Sequence, residues 1–245
     1  MRWFRADLHI HSVLSPCGGL EMAPHALMER IKECKIDWIA ITDHNSMANC
    51  PAYEAAARRA GLYFSWGVEI QTSEEIHILA YFDNPAKAQA FDTLLYSSLL
   101  PLTNDPDYFG DQVVIDENEN ILRVEQRALI NSSLWDLSQT VEMIRDYDGF
   151  AVPAHIDASV NSIISQLGFM PDEPSFELFG ITAGLDASEW TARQGYFSQR
   201  KLCRASDAHY LADVGSGYCE LYLTQPSVAE LQKAALGLDG RLIKN

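Results

Sequence analysis

Short apolar runs alternate with amphipathic segments along most of this chain. Apolar runs of strand length occur at 4–11, 37–42, 62–70, 76–82, 150–155, 177–182 and 201–206, and a last β-like run occurs at 218–224. The intervening segments predict helices. In the first of them, Pro24 suits an opening turn and places Leu27, Ile31 and Cys34 on one face. This alternation is typical of βα units around a parallel sheet or barrel.

One interval breaks the alternation. Residues 83–149 separate the fourth and fifth predicted strands, and this interval is too long for a single crossover. Within it, β-like runs at 112–115 and 121–124 flank the polar segment 116–120, which predicts a hairpin. We interpret about 84–137 as an insertion, for which three roles are open: a lid, an oligomer contact, or a surface hairpin without a part in the chemistry.

Charge narrows the range of partners. The 245 residues contain 18 Lys and Arg against 34 Asp and Glu, a formal net charge of −16. Such a balance argues against nucleic acid, whose binding relies on cationic side chains, and against anionic membrane surfaces. A small phosphorylated substrate stays possible because a bound metal ion reverses the field locally. The five cysteines, an odd and scattered number, favour reduced thiols and a cytoplasmic location.

The histidines are unusually placed. His9 and His11 close the first strand, where a side-chain period of two puts them on one face together with Asp7. Most of the other metal-capable side chains also follow β runs, and they are His44, Glu69, His155, Asp207 and His209. In a parallel barrel these strand ends converge on the face where active sites are built. His77 is a partial exception at the start of its run, and we interpret His25 as a surface residue.

Eight candidate ligands are more than one ion needs. A tetrahedral zinc takes three or four ligands, so the set predicts two or three divalent ions, with Glu69 as the natural bridge. Imidazole together with carboxylate suits zinc, manganese or iron. Asp7 and Asp43 are predicted to support the site by orienting ligating histidines. An alternative for Asp43 is a helix or turn cap beside Asn45.

Several separated motifs resemble the PHP (polymerase and histidinol phosphatase) domain family. They are Asp7-Leu8-His9-Ile10-His11-Ser12, Ile41-Thr42-Asp43-His44-Asn45, Gly67-Val68-Glu69, His77-Ile78-Leu79, Pro153-Ala154-His155 and Ser206-Asp207-Ala208-His209. The resemblance implies a single α/β domain over 1–245, built as a distorted (β/α)7 TIM-like barrel with the insertion between its fourth and fifth strands. It also implies up to three metal ions and phosphoester hydrolysis. The ligands it implies are His9, His11, His44, Glu69, His77, His155, Asp207 and His209.

The chain departs from this family at the third metal. Family members usually place an Asp or His seven or eight residues after the first histidine, where this chain has Ser15-Pro16-Cys17-Gly18, a sequence similar to one subgroup of the family. Cys17 is the expected replacement ligand because a thiolate binds zinc well. Glu21 is the rival, and an inert buried thiol is the alternative for Cys17.

Together these observations predict a metal-dependent phosphoesterase, most simply a phosphomonoesterase. The expected nucleophile is a metal-bridging hydroxide, supported by Asp7 and Asp43. The expected substrate is a small phosphate such as histidinol phosphate or a nucleotide, with nucleic acid limited to short pieces. Arg193 and Arg204 are either phosphate ligands or ordinary surface charges.

Two other classes are weighed against this prediction. Amidohydrolase-type barrels also open with a His-x-His motif and cleave C–N bonds, but they typically end in a lone Asp and carry a bridging lysine. Lysines are sparse near the strand ends of this chain. A non-catalytic metal-binding regulatory module is disfavoured because structural metal sites rarely need eight ligands.

Overall fold

The computed structural model describes residues 1–245. The strands are β1 Arg2–Ile10, β2 Trp38–Ile41, β3 Tyr63–Gln71, β4 His77–Phe82, β5 Val113–Ile115, β6 Ile121–Val124, β7 Phe150–Pro153, β8 Leu178–Ile181, β9 Lys201–Arg204, β10 Cys219–Leu223 and β11 Leu242–Lys244. The helices are α1 Pro24–Glu33, α2 Cys50–Ala60, α3 Pro85–Ser98, α4 Pro106–Phe109, α5 Leu137–Asp146, α6 Ile163–Leu167, α7 Ala187–Arg193 and α8 Val228–Ala235. No helix of the chain combines the length and the apolar character needed to cross a membrane.

Seven strands form a curled mixed sheet in the order β11-β10-β1-β2-β3-β4-β7. A separate parallel pair, β8 and β9, continues the curl beyond β7, where the backbone amide of Ile156 donates to the carbonyl of Gly180 at 2.9 Å. The predicted α/β class with a barrel-like sheet is therefore confirmed. A sheet of parallel strands only is not what forms, because β10 runs antiparallel to β1, and β4 runs antiparallel to β3 and β7.

The reversed direction of β4 explains the position of His77. In a parallel strand, a residue at the start lies at the opposite end of the sheet from the carboxyl ends of its neighbours. Because β4 is antiparallel to β3, its first residue, His77, is paired with Gln71, the last residue of β3. His77 therefore lies at the same edge as the other candidate ligands.

Both faces of the sheet are packed. Ile39 and Ile41 of β2 belong to a core of 43 buried residues that packs the sheet against α1, α2, α3 and α5. Trp38 and Ala40 alternate with them and belong to a core of 19 buried residues on the other face, which is closed by α8. Strands buried on both sides are expected to read as continuous apolar runs, as they do here.

The predicted insertion contains α3, α4 and the hairpin of β5 and β6. Strand β5 is buried, and the backbone amide of Val113 donates to the carbonyl of Val13 at 3.1 Å, whereas β6 is exposed along its length. The side chain of Asn49 fastens the hairpin to the body. Its Nδ2 donates to Val113 O at 2.9 Å and Ser12 Oγ at 3.0 Å, and its Oδ1 accepts from the amide of Ile115 at 3.0 Å.

We expect Asn49→Ala to lower the free energy of unfolding by about 2–4 kcal/mol, because it leaves a buried carbonyl and a buried amide unpaired. Urea denaturation followed by circular dichroism measures this loss. The matched control is Asn118→Ala in the exposed turn of the same hairpin, which should change stability by less than about 0.5 kcal/mol. Equal effects of the two variants would show that Asn49 does not fasten the insertion.

Candidate metal centre

The candidate ligands converge at one edge of the sheet. His9 and His11 come from the end of β1, His44 follows β2, and Glu69 lies two residues before the end of β3. His77 is the first residue of β4, His155 follows β7, and both Asp207 and His209 follow β9. The structure therefore brings together all eight residues that the sequence singled out.

A first group joins four of these side chains. The Nε2 atoms of His9 and His11 lie 3.2 Å apart, and each lies 3.2 Å from Oδ1 of Asp207. The two carboxylate oxygens of Glu69 complete the group, with Oε1 at 3.3 Å from His9 Nε2 and Oε2 at 3.3 Å from His11 Nε2.

A second group surrounds Oε1 of Glu69 from the other side. His77 Nδ1 lies 2.8 Å and His155 Nε2 lies 3.1 Å from this oxygen, and the two nitrogens lie 3.3 Å apart. His44 Nδ1 approaches Oε2 of the same carboxylate at 3.2 Å. Glu69 therefore faces five histidines and belongs to both groups, which is the arrangement of a bridging ligand.

A third group consists of His11, His44 and His209, with donor atoms within 4.8 Å of one another. Cys17 and Glu21 are both exposed, and no hydrogen bond or ion pair links either side chain to these histidines. Ligation of a third ion by Cys17 or Glu21 stays a prediction.

The spacing of the donors fits divalent metal ions. Ligand atoms that share one ion at about 2.0–2.2 Å lie about 3–3.5 Å from one another, and most of the separations above fall in this range. Two imidazole nitrogens with lone pairs facing each other repel unless a proton or a cation lies between them. The buried Nδ1 atom of His44, which faces Glu69, also has no hydrogen-bond partner in the protein. The residues present therefore fit a cluster of metal ions.

The electrostatics of the site favour the binding of metal ions. Burial opposes ionisation of Glu69, but His77, His9 and His44 outweigh it and hold the pKa of Glu69 well below its usual value. Burial would likewise lower the pKa of His11, yet hydrogen bonds to Asp207 and Glu69 raise it to about 10. A cation binding to His11 therefore displaces a proton, so binding should tighten as the pH rises. Burial lowers the pKa of His44 well below its usual value, which keeps that ring neutral.

Some residues of this site have an unusual backbone conformation. His155, Asp207 and Asn45 all have positive φ angles, of 26°, 53° and 51°. Non-glycine residues adopt this region at a cost, and such residues cluster at functional sites where the surroundings enforce the conformation. Asn tolerates this region better than other residues, so the strain at this site belongs to two candidate ligands, His155 and Asp207.

His11 is oriented by a chain of hydrogen bonds. Its Nδ1 donates to Ser15 Oγ at 2.8 Å, and Ser15 Oγ donates to Asp43 Oδ1 at 2.7 Å. Asp43 also accepts from the backbone amide and the hydroxyl of Ser12, at 2.7 and 2.6 Å. Asp43 thus acts on His11 through Ser15, a residue that the sequence reasoning missed. This leaves Nε2 of His11 as the nitrogen at which a cation would displace the proton.

Asp7 lies beneath the site. Burial raises its pKa to about 6, and its Oδ1 accepts from the backbone amide of Ser206 at 3.0 Å, next to Asp207. It makes no hydrogen bond to an imidazole ring. A supporting part for Asp7 and Asp43 in catalysis stays a prediction.

The two arginines considered as phosphate ligands have other partners. Arg204 donates to the carbonyls of Thr182, Ala183 and Leu185 at 2.6–2.9 Å, which fixes the segment after β8. Arg193 is exposed and pairs with Glu189 one turn away on α7. His25 is exposed, as expected for a surface residue.

Comparison with known proteins identifies the family. The sequence profile of the PHP domain matches residues 7–166, well over half of the chain. The chain therefore belongs to the PHP domain family, a class of metal-dependent hydrolases, as its motifs indicated.

Individual relatives are similar over different spans. The 5'-3' exoribonuclease Rnm of Salmonella typhimurium is 40% identical over 78 residues, which are 30% of this chain and 26% of that protein. The lesion-specific endonuclease PfuEndoQ of Pyrococcus furiosus has a similar fold, with a TM-score of 0.74 at 16% identity over 98% of this chain and 57% of that one. An amidohydrolase of Chromobacterium violaceum has a TM-score of 0.57 at 18% identity, over 86% of this chain and 90% of that one. This chain thus spans about half of the endonuclease and matches about a quarter of the exoribonuclease.

These relatives correct the expectation about substrates. The sequence predicted a small phosphorylated substrate and disfavoured nucleic acid, but two of the relatives are named as a lesion-specific endonuclease and a 5'-3' exoribonuclease. The error has a physical cause. A net charge of −16 describes the whole surface, whereas substrate binding at a metal cluster depends on a local field that bound cations reverse.

We expect Ser15→Ala to weaken the affinity for Mn²⁺ about 10- to 100-fold, because His11 loses the acceptor that fixes its tautomer. Competition with a chelating dye measures the affinity. Ser97→Ala is the control, since the Ser97 hydroxyl is exposed and donates only to the carbonyl of Leu94 in its own helix. An unchanged affinity in Ser15→Ala would show that His11 does not depend on this hydrogen bond.

Proposed function

We propose that this chain hydrolyses phosphodiester bonds of nucleic acid at a cluster of two or three divalent metal ions. The observation that carries the proposal is the buried Glu69 carboxylate, which faces five histidines at 2.8–3.3 Å. Membership of the PHP domain family supports the hydrolytic reaction. The proposed unit is a single PHP-type domain over 1–245, with the insertion at about 84–137.

The distances support a division of the ligands into three groups. His9, His11, Glu69 and Asp207 would hold a first ion, and Glu69, His77 and His155 would hold a second. His44 and His209 would hold a third, with Cys17 or Glu21 as a further proposed ligand. Zinc, manganese and iron suit this mixture of imidazole and carboxylate donors. When bound, such ions activate water as a nucleophile and neutralise the charge on phosphate oxygens.

Some of the candidate ligands are buried, and others are partly exposed. The side chains of Glu69, His9 and His11 are at most 3% exposed, whereas those of His209 and Asp207 are 23% and 35% exposed. The substrate phosphate would therefore enter from the side of Asp207 and His209. The buried histidines hold the opposite side of the cluster, where they exclude bulk water.

The depth at which the ligands are buried favours a flexible nucleic-acid strand as the substrate. A stacked duplex keeps its phosphates on a stiff cylinder, whereas a single strand or an extruded nucleotide can reach a recessed centre. The names of the two nuclease relatives support nucleic acid as the class of substrate. Within that class we propose single-stranded RNA or DNA, and this choice rests on the depth of the ligands alone.

Cleavage of C–N bonds is the second candidate, and the similarity in fold to an amidohydrolase favours it. The composition of the site argues against it. The carboxylates of Glu69 and Asp207 form ion pairs with histidines only, and no lysine lies within 4.0 Å of either as a candidate bridge. Hydrolysis of an amide with no phosphoesterase activity would support this second candidate.

The direct test combines metal analysis with nuclease assays. Protein loaded with Mn²⁺ or Zn²⁺ is incubated with end-labelled single-stranded RNA, single-stranded DNA, duplex DNA and bis(p-nitrophenyl) phosphate. We expect at least two ions per chain and faster cleavage of single strands than of duplex. Glu69→Gln should lower kcat/KM more than about 100-fold, which is the upper range for residues that only support a ligand.

His25→Ala is the control for this substitution, because His25 is exposed on α1 and lies outside the three groups. It should keep full activity and full metal content. Less than one ion per chain, or no hydrolysis of any phosphodiester by the loaded protein, would contradict the proposed function.

A further inference from the structure

The imidazole of His77 is held on its outer side by two amide side chains of opposite hydrogen-bonding character. Its Nε2 lies 3.0 Å from the carbonyl oxygen Oε1 of Gln71 and 3.2 Å from the amide nitrogen Nδ2 of Asn161. On the inner side, its Nδ1 lies 2.8 Å from Oε1 of Glu69. One nitrogen of the ring therefore faces an acceptor and a donor at the same time.

Gln71 is fixed by the insertion. Its Nε2 donates to the hydroxyl of Ser132 at 3.0 Å, which turns Oε1 towards His77. Its backbone amide donates to Oδ1 of Asn45 at 3.1 Å, and Asn45 in turn donates through Nδ2 to the carbonyls of Leu129 and Asn131. The segment 129–132 thus sets the position of Gln71 beside the metal centre.

Asn161 is fixed from the segment after β7. Its carbonyl accepts from the backbone amide of His77 at 2.9 Å, so its side chain starts directly beside the ring. Its φ angle of 55° is in the left-handed region, which Asn and Gly tolerate better than other residues. The two amides therefore approach His77 from two different parts of the chain.

Each amide suits a different tautomer of His77. With the proton on Nε2, the ring donates to Gln71 and leaves the Nδ1 lone pair for a cation. With the proton on Nδ1, the ring donates to Glu69, and Nε2 accepts from Asn161. Ligating histidines need the first form, because the nitrogen that binds a metal must carry a free lone pair.

We propose that Gln71 and Asn161 are opposing positioning residues that set the tautomer of His77 and thereby the metal affinity of the group His77, His155 and Glu69. Gln71 favours the form that binds metal, and Asn161 favours the form bonded to Glu69. Through Ser132, the insertion takes part in this balance. The inference rests on the metal centre of the proposed function. It adds two residues that set the affinity of that centre for one of its metal ions.

Two substitutions should shift the affinity in opposite directions. Gln71→Leu removes the acceptor and should weaken binding of the second Mn²⁺ about 10- to 100-fold. Asn161→Gly removes the donor without strain at positive φ and should tighten that binding about two- to tenfold. Isothermal titration with Mn²⁺ measures both affinities. Electron paramagnetic resonance distinguishes two coupled Mn²⁺ ions from one isolated ion.

Two further variants separate positioning from general damage. Gln71→Glu keeps an acceptor at the same place and should restore the coupled spectrum that Gln71→Leu loses. Gln126→Leu is the matched control, because Gln126 is an exposed residue of the insertion whose side chain contacts only the carbonyl of Val124. It should bind Mn²⁺ as the wild type does. If Gln71→Leu does not fold, the tighter Mn²⁺ binding expected for Asn161→Gly still tests the proposal.

The outcomes separate the two proposals. The wild type could bind two coupled ions while Gln71→Leu and Asn161→Gly change the Mn²⁺ affinity equally or in the same direction. This result would overturn the tautomer inference but not the metal centre. No coupled pair in the wild type would overturn the dinuclear centre and the inference together. Opposite shifts with rescue by Gln71→Glu would support both.

Discussion

The burial of one negative charge governs this structure. Glu69 is 1% exposed, and an isolated carboxylate at that depth would cost several kcal/mol of folding free energy. Five histidines from four other parts of the chain approach it at 2.8–3.3 Å, and these imidazoles are themselves buried. The group is stable only when its members share protons or cations. The convergence of strand ends and the strained backbone of His155 and Asp207 both place side chains around this carboxylate.

The insertion is part of this arrangement. Asn49 fastens β5 to the segment after β1, and Asn45 and Gln71 fasten the segment 129–132 to the ligand-bearing ends of β2 and β3. Each link uses a buried or half-buried amide that satisfies backbone or side-chain partners on both sides. The segment 129–132 therefore lies against the strand ends that carry ligands, whereas the hairpin lies against the segment after β1. The role of the insertion, as a lid, an oligomer contact or a surface hairpin, stays a prediction.

Net charge proved to be a poor guide to the substrate. The value of −16 correctly describes a surface with few cationic side chains, and Arg204 and Arg193 are engaged with carbonyls and with Glu189. Recognition of phosphate at a metal cluster depends on the ions and on the few side chains that face them, which are a small part of the total. The named nuclease relatives are also longer than the matched part of this chain, so their contacts with nucleic acid need not all lie within it.

The sequence by itself determined the strands that carry chemistry and most of the metal-capable side chains. Apolar runs and the period of two in Asp7, His9 and His11 are local properties, and local properties can be read from neighbouring residues. Only the tertiary structure decided the direction of β4, and with it the place of His77, because strand direction depends on pairing between residues distant in the chain. Only the tertiary structure also showed the short strand β11 and the contacts of Ser15, Gln71 and Asn161. These polar residues have ordinary sequence neighbours, and their importance arises from contacts of 2.8–3.2 Å that folding creates.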